Sequence, residues 1–137
     1  MTFGKIDINY IEPITFFIEV KCMDILRYSY PTMLKRSKSL SYRQQVTLMT
    51  TVLMKFLVEH NLILINPFNE DGSIKENLQL RSSDLTDVDN QFFKEVFPKW
   101  SAYIDRGGDI LKTTSLLNGL KKLKKQISIY LEVRGVN

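Results

Sequence analysis

A chain of 137 residues, 44% hydrophobic and 25% charged, has the length and composition of one globular domain with a core of its own, spanning residues 1–137. A single cysteine, Cys22, excludes an internal disulfide, and a single histidine, His60, leaves little for histidine catalysis or zinc ligation. The net charge of +4 hides a segregation: residues 27–60 hold six basic and one acidic residue, residues 70–109 five basic and nine acidic, and residues 110–137 six basic and one acidic.

Residues 1–9 read as an extended lead or short strand. No charged start followed by an apolar run and a small-residue cleavage site occurs there, so a cytoplasmic protein is expected. From Tyr10 to Tyr30 two patterns compete. Ile14, Phe17, Ile18, Cys22, Ile25 and Leu26 form a helical stripe, whereas ITFFIEV is rich in strand-favouring residues. A helix is expected, with Pro13 in its first turn and Pro31 beyond its end. Lys35 to Ser41 reads as a basic loop.

Ser41 and Gln44 have the spacing of a capping box, and Val46, Met49, Val52, Leu53, Phe56 and Leu57 follow on one face. Leu48, Met54 and Val58 widen the apolar surface. A helix over about 42–60 that is hydrophobic around much of its circumference is expected to be central. Lys55, Glu59, His60 and Asn61 interrupt its apolar run, which therefore falls short of a membrane span. Asn61 can end it. Leu62–Ile65 and Ile74–Leu80 flank the turn formers of NPFNEDG, which predicts a small two-stranded hairpin over about 62–80.

Thr86 is placed to cap a helix whose first turn carries Asp87 and Asp89 near the positive end of the helix dipole. Val88, Phe92, Val96, Trp100 and Ile104 recur every four residues, with Phe93 and Phe97 beside them. Pro98 removes a backbone donor inside this stripe, predicting a kink or two abutting helices at Phe97, and Gly107 a left-handed end. Thr113 or Thr114 can cap a last helix with a seam of Leu116, Leu120, Leu123, Ile127 and Leu131. The expected fold is thus a mainly α compact domain built around the 42–60 helix.

No constellation for chemistry emerges. Cys22 lacks a redox or metal partner in the sequence, and His60 suits the negative end of its helix. The aspartates at 84, 87 and 89 and those at 105 and 109 fit no calcium loop, and Gly107-Gly108 lacks the context of a phosphate-binding loop. No enzyme activity, cofactor or metal is expected.

KWSAYIDRGGD, followed by a leucine-spaced, lysine-rich helix, resembles the C-terminal half of small bacterial immunity proteins that neutralise contact-dependent growth-inhibition toxins. The similarity covers roughly residues 84–125. It implies a non-enzymatic inhibitor that binds a cognate toxin domain over its active or substrate-binding surface. Nuclease toxins are commonly basic, which would suit the acidic middle segment, although the positive net charge departs from many nuclease-immunity proteins. On that reading Glu70, Asp71, Glu76, Asp84, Asp87 and Asp89 meet the partner, with Tyr103, Asp105 and Arg106 as further contacts. A reading of another class is a small nucleic-acid-binding regulator that uses the basic segments 35–43 and 121–125. Solvated lysines over a leucine core, or internal pairing of the charged segments, are the plainer accounts of the same residues.

Overall fold

The computed structural model describes residues 24–133, and side chains through Ile129. Most of the helix expected over 10–30 lies outside the described residues. Its end, however, is extended: Leu26–Ser29 forms strand β1, and Tyr30–Leu34 a short helix, α1. Ser29 caps α1 by accepting from the Thr32 amide at 3.3 Å, and Pro31 sits in the first turn rather than beyond a helix.

Helix α2 spans Leu40–Glu59. Its cap is Ser39, two residues before the expected Ser41; the Ser39 hydroxyl accepts from the Tyr42 amide at 3.4 Å. The C-terminus closes in a Schellman motif around left-handed Asn61, with Leu62 N–H donating to Leu57 O and Asn61 N–H to Val58 O. Val46, Met49, Leu53, Met54, Phe56 and Leu57 are buried, while Leu48 and Val58 each remain 43% exposed. The apolar surface of α2 is thus covered on one side only.

The hairpin expected over 62–80 does not form. Strand β2, Gln79–Arg81, pairs antiparallel with β1 instead, placing Tyr28 opposite Leu80 and Ser29 opposite Gln79. Ile63 bridges to Leu85, outside the 62–80 segment altogether. Burial explains the choice. Leu80 is fully buried and Tyr28 nearly so, and pairing them puts both side chains in the core, where the Tyr28 hydroxyl shares a 2.6 Å hydrogen bond with Thr50 of α2. Burial pushes the Tyr28 phenol up to about 12, against the opposing effect of that bond.

A turn of 3₁₀ helix, Ser82–Asp84, leads to α3, Asp87–Glu95, which Thr86 caps by accepting from the Asp89 amide at 3.1 Å. At Val96 the chain breaks and α4, Phe97–Asp105, starts with Pro98 in its first turn, giving the two abutting helices that proline demands. A second Schellman motif ends α4. Gly107, at φ 94°, donates to Ile104 O and Gly108 to Tyr103 O.

Helix α5 runs Thr114–Val133 and buries Leu116, Leu120 and Leu123. Its Gly119 lies so close to Val96 that a Cβ there would stand 2.5 Å from a Val96 methyl, so the glycine sets how near α5 packs to the α3–α4 junction. The core joins these leucines to an aromatic group. Phe56 of α2 stacks on Phe92 of α3 at 5.6 Å, and Tyr28 meets Phe97 edge-on at 5.7 Å. Trp100 is 1% exposed and donates its indole N–H to Lys112 O at 3.4 Å. The molecule is therefore mainly α with a small two-stranded antiparallel sheet, and among the described residues no helix is long and apolar enough to cross a membrane.

Candidate functional site

Between α2 and β2 the chain makes an excursion that carries the first three acidic candidates. Its tip is fixed by backbone and side-chain bonds: Phe68 bridges to Ile74, and Asn69 and Ser73 are joined at 2.8 Å through amide and carbonyl. Gly72, at φ 87°, makes the turn. Asp71 accepts from both the amide and the hydroxyl of Ser73, at 3.0 and 2.6 Å, and these bonds hold its carboxyl below the usual carboxylate range. Glu70, Asp71 and Glu76 are exposed, so the loop presents three carboxylates on a backbone that its own hydrogen bonds restrain.

The remaining acidic candidates lie at the entrance to α3, and each plays a different part. Asp84 is half-buried and accepts from the Arg81 amide at 2.9 Å, closing the 3₁₀ turn, while its carbonyl accepts from Leu64 at 2.8 Å. Asp87 is exposed in the first turn of α3.

Asp89 is not a surface carboxylate. It is 0% exposed, both of its carboxylate oxygens lack a hydrogen-bond partner, and burial pushes its carboxyl up to about 8. The helix dipole favours the anion there by ~0.3–1 kcal/mol, while burying an ion costs several kcal/mol, so desolvation prevails. The expectation that Asp89 meets a partner directly is therefore corrected. The signal was present in the sequence: Asp89 precedes Phe92 by three residues and Phe93 by four, which places it on the buried face of α3. The reciprocal capping role open to a carboxylate at this position is also taken, because the Thr86 amide donates to Leu62 O at 3.1 Å.

At the end of α4, Asp105 and Arg106 are exposed. Tyr103 is half-buried and covers the glycine turn, its ring within 2.4 Å of where a Gly108 Cβ would stand. Its hydroxyl accepts from the Asp109 amide at 3.0 Å. Tyr103 also lines a cavity of about 340 Å³ with Lys99, Lys112 and the first turn of α5. The expected contacts thus come from three segments of the chain, the 70–76 loop, the entrance to α3 and the end of α4, and among the described residues no hydrogen bond joins Tyr103, Asp105 or Arg106 to the loop.

Lys121, Lys122, Lys124 and Lys125 are all exposed on α5. His60 packs against Phe56 at a ring separation of 4.4 Å and a tilt of 44°, at the end of α2. Cys22 lies outside the described residues. Among the described residues no group of three metal-ligating side chains is placed to hold an ion. No family model matches this chain, and no curated protein or solved structure is significantly similar to it.

Proposed function

We propose that this chain is a cytoplasmic immunity protein, a non-enzymatic inhibitor that binds a cognate toxin domain and blocks its active or substrate-binding surface. The observation that carries the reading is the 70–76 loop, where Glu70, Asp71 and Glu76 stand exposed on a hydrogen-bonded frame. Charge presented on a pre-formed surface accelerates association with a basic partner and needs no catalytic group. Asp84 and Asp87 extend this acidic surface in the proposal, and Tyr103, Asp105 and Arg106 are further contacts. In it α2 serves as the central support, with its buried side and its stacking contact to α3 as the grounds. The resemblance of residues 84–125 to immunity proteins points the same way.

The test screens the purified chain against bacterial toxin domains, beginning with any encoded in a reading frame that neighbours its own. A stoichiometric complex and protection of toxin-expressing cells are expected. Reversing Glu70 and Asp71 together to Lys should slow association at low ionic strength, with a smaller effect on dissociation. A toxin that neither binds the chain nor is neutralised by it overturns the reading.

The exposed lysines of α5 favour a second reading, a nucleic-acid-binding regulator that also uses residues 35–43. Its mark is binding to DNA or RNA that weakens steeply with salt.

A further inference from the structure

The covered side of α2 faces the aromatic core; its other side opens, with α1, onto a groove of about 440 Å³. Its lining is mixed: Leu34, Leu40, Leu48 and the buried Tyr30 supply the apolar side, and Arg43, Gln44, Thr47 and Thr51 the polar side. Leu40 is 71% exposed and Leu48 43%, and Leu34 stands across from them on α1. Leu40 and Leu48 lie about two turns apart on the groove side of α2, with Gln44 between them, and Leu34 closes the groove from the end of the neighbouring helix. The groove is held in shape from both ends. Arg43 donates from Nη1 to Leu34 O at 2.9 Å, and the Tyr30 and Thr47 hydroxyls share a 2.8 Å bond. A groove clamped in this way needs little reorganisation to receive a ligand.

Charge identifies the occupant. The loop between α1 and α2 places Lys35, Arg36 and Lys38 beside Leu34 and Leu40, and Arg43 lines the groove itself. No acidic residue occurs in the sequence between Asp24 and Glu59, so these cations have no neighbouring carboxylate along the chain. Exposed cations next to a groove that also bares leucine side chains select a ligand that carries carboxylates and apolar side chains together. Nucleic acid would satisfy the charges but leave Leu34, Leu40 and Leu48 without a counterpart, and the aromatic ring in the groove, Tyr30, is 7% exposed and does not offer a stacking face.

We propose that the α1–α2 groove is a docking site for an acidic segment of a partner protein, with one or two apolar side chains seated on Leu34, Leu40 and Leu48 and carboxylates meeting Lys35, Lys38 and Arg43. This goes beyond the toxin-binding reading and does not depend on it, because none of these residues belongs to the acidic surface assigned there.

The test is selection from a displayed library of random peptides of about sixteen residues, a length sufficient for groove binding. Selection on the wild-type chain is followed by counter-selection on the double variant Leu40→Ser, Leu48→Ser. Both leucines are exposed, so that variant should keep the wild-type melting curve, and Lys35→Glu with Lys38→Glu probes the same site without touching apolar packing. The expected result is a set of sequences combining Asp or Glu with Leu, Ile or Phe, which bind at least roughly tenfold more weakly to either double variant. Peptides of no acidic bias, peptides indifferent to both variants, or no enrichment would overturn the proposal. So would a single-stranded oligonucleotide that shifts the Leu34, Leu40 and Leu48 methyl resonances and displaces the selected peptides, which would assign the groove to nucleic acid.

Discussion

Asp89 makes the stability of this protein depend on pH in a direction opposite to that of an ordinary surface carboxylate. Its carboxyl titrates near 8 in the folded chain, because burial disfavours the anion, and near 3.8 when unfolded. In the interval between these values the folded state holds a proton that the unfolded state has lost. Stability contributed by the neutral group is therefore complete below the unfolded value and is lost as pH rises toward the folded one. The slope is about 1.4 kcal/mol per pH unit and does not depend on the exact folded value, provided the measurement stays inside the window. From about pH 5 to about pH 7 the loss is about 3 kcal/mol, a large fraction of the ~5–15 kcal/mol that holds a domain folded. Asp89→Asn keeps the shape and removes the titration. Urea unfolding of the two proteins at several values across that interval isolates the effect, since other titrating groups contribute equally to both. The amide is also buried without a partner, which offsets its curve by a constant. The difference in unfolding free energy should shift in favour of the variant by about 1.4 kcal/mol for each unit of rising pH, and should level off beyond about pH 8. A difference that stays constant across the interval would refute a buried, unpartnered carboxyl at this position.

Three further outcomes follow from the packing and one from the proposed site. Trp100→Ala should destabilise the fold by ~3–5 kcal/mol, because a nearly fully buried indole leaves a cavity that its neighbours fill only in part; chemical denaturation measures it, and an unchanged midpoint would place Trp100 outside the core. Gly119→Ala gains ~1 kcal/mol in helix propensity, yet its Cβ collides with Val96, so a net loss of about 1–2 kcal/mol is expected in the same assay. Tyr28→Phe removes the partner of the buried Thr50 hydroxyl and should cost ~1–2 kcal/mol, read from thermal melts. Glu70→Lys with Asp71→Lys should leave the melting curve within ~0.5 kcal/mol of wild type while slowing association with a basic toxin domain at low salt, which stopped-flow fluorescence at two ionic strengths resolves.

What was legible in the sequence was decided by neighbours a few residues apart. Thr86 and Asp89 are three residues apart in one turn, Pro98 breaks the backbone ladder of its own helix, and Asn61 and Gly107 each take the left-handed position that closes a Schellman motif. The aromatic stripe from Phe92 to Ile104 predicted which face of α3 and α4 is buried because helical periodicity is local. The strand pairing was illegible for the converse reason. Tyr28 and Leu80 meet across more than fifty residues of chain, and β1 and β2, four and three residues long, are too short for alternation to register. NPFNEDG did form a turn, but a turn joins whatever its flanks find elsewhere, and the flanks found Leu85 and Tyr28.

The candidate site divides along the same line. Exposure of Glu70 and Asp71 follows from their place in a turn, which composition announces. The burial of Asp89 follows from a conflict between two local rules: its position in the first turn calls for a carboxylate, and its phase relative to Phe92 and Phe93 calls for an apolar side chain. The phase prevails because the face it shares with two buried phenylalanines is fixed by the whole core, whereas the dipole acts on one turn. Where a sequence places a charge in phase with a hydrophobic stripe, the stripe decides its exposure and the charge gives way by taking up a proton. That ordering, rather than the number of carboxylates in residues 70–109, separates the exposed carboxylates such as Glu70, Asp71 and Glu76 from the buried one that ties folding to pH.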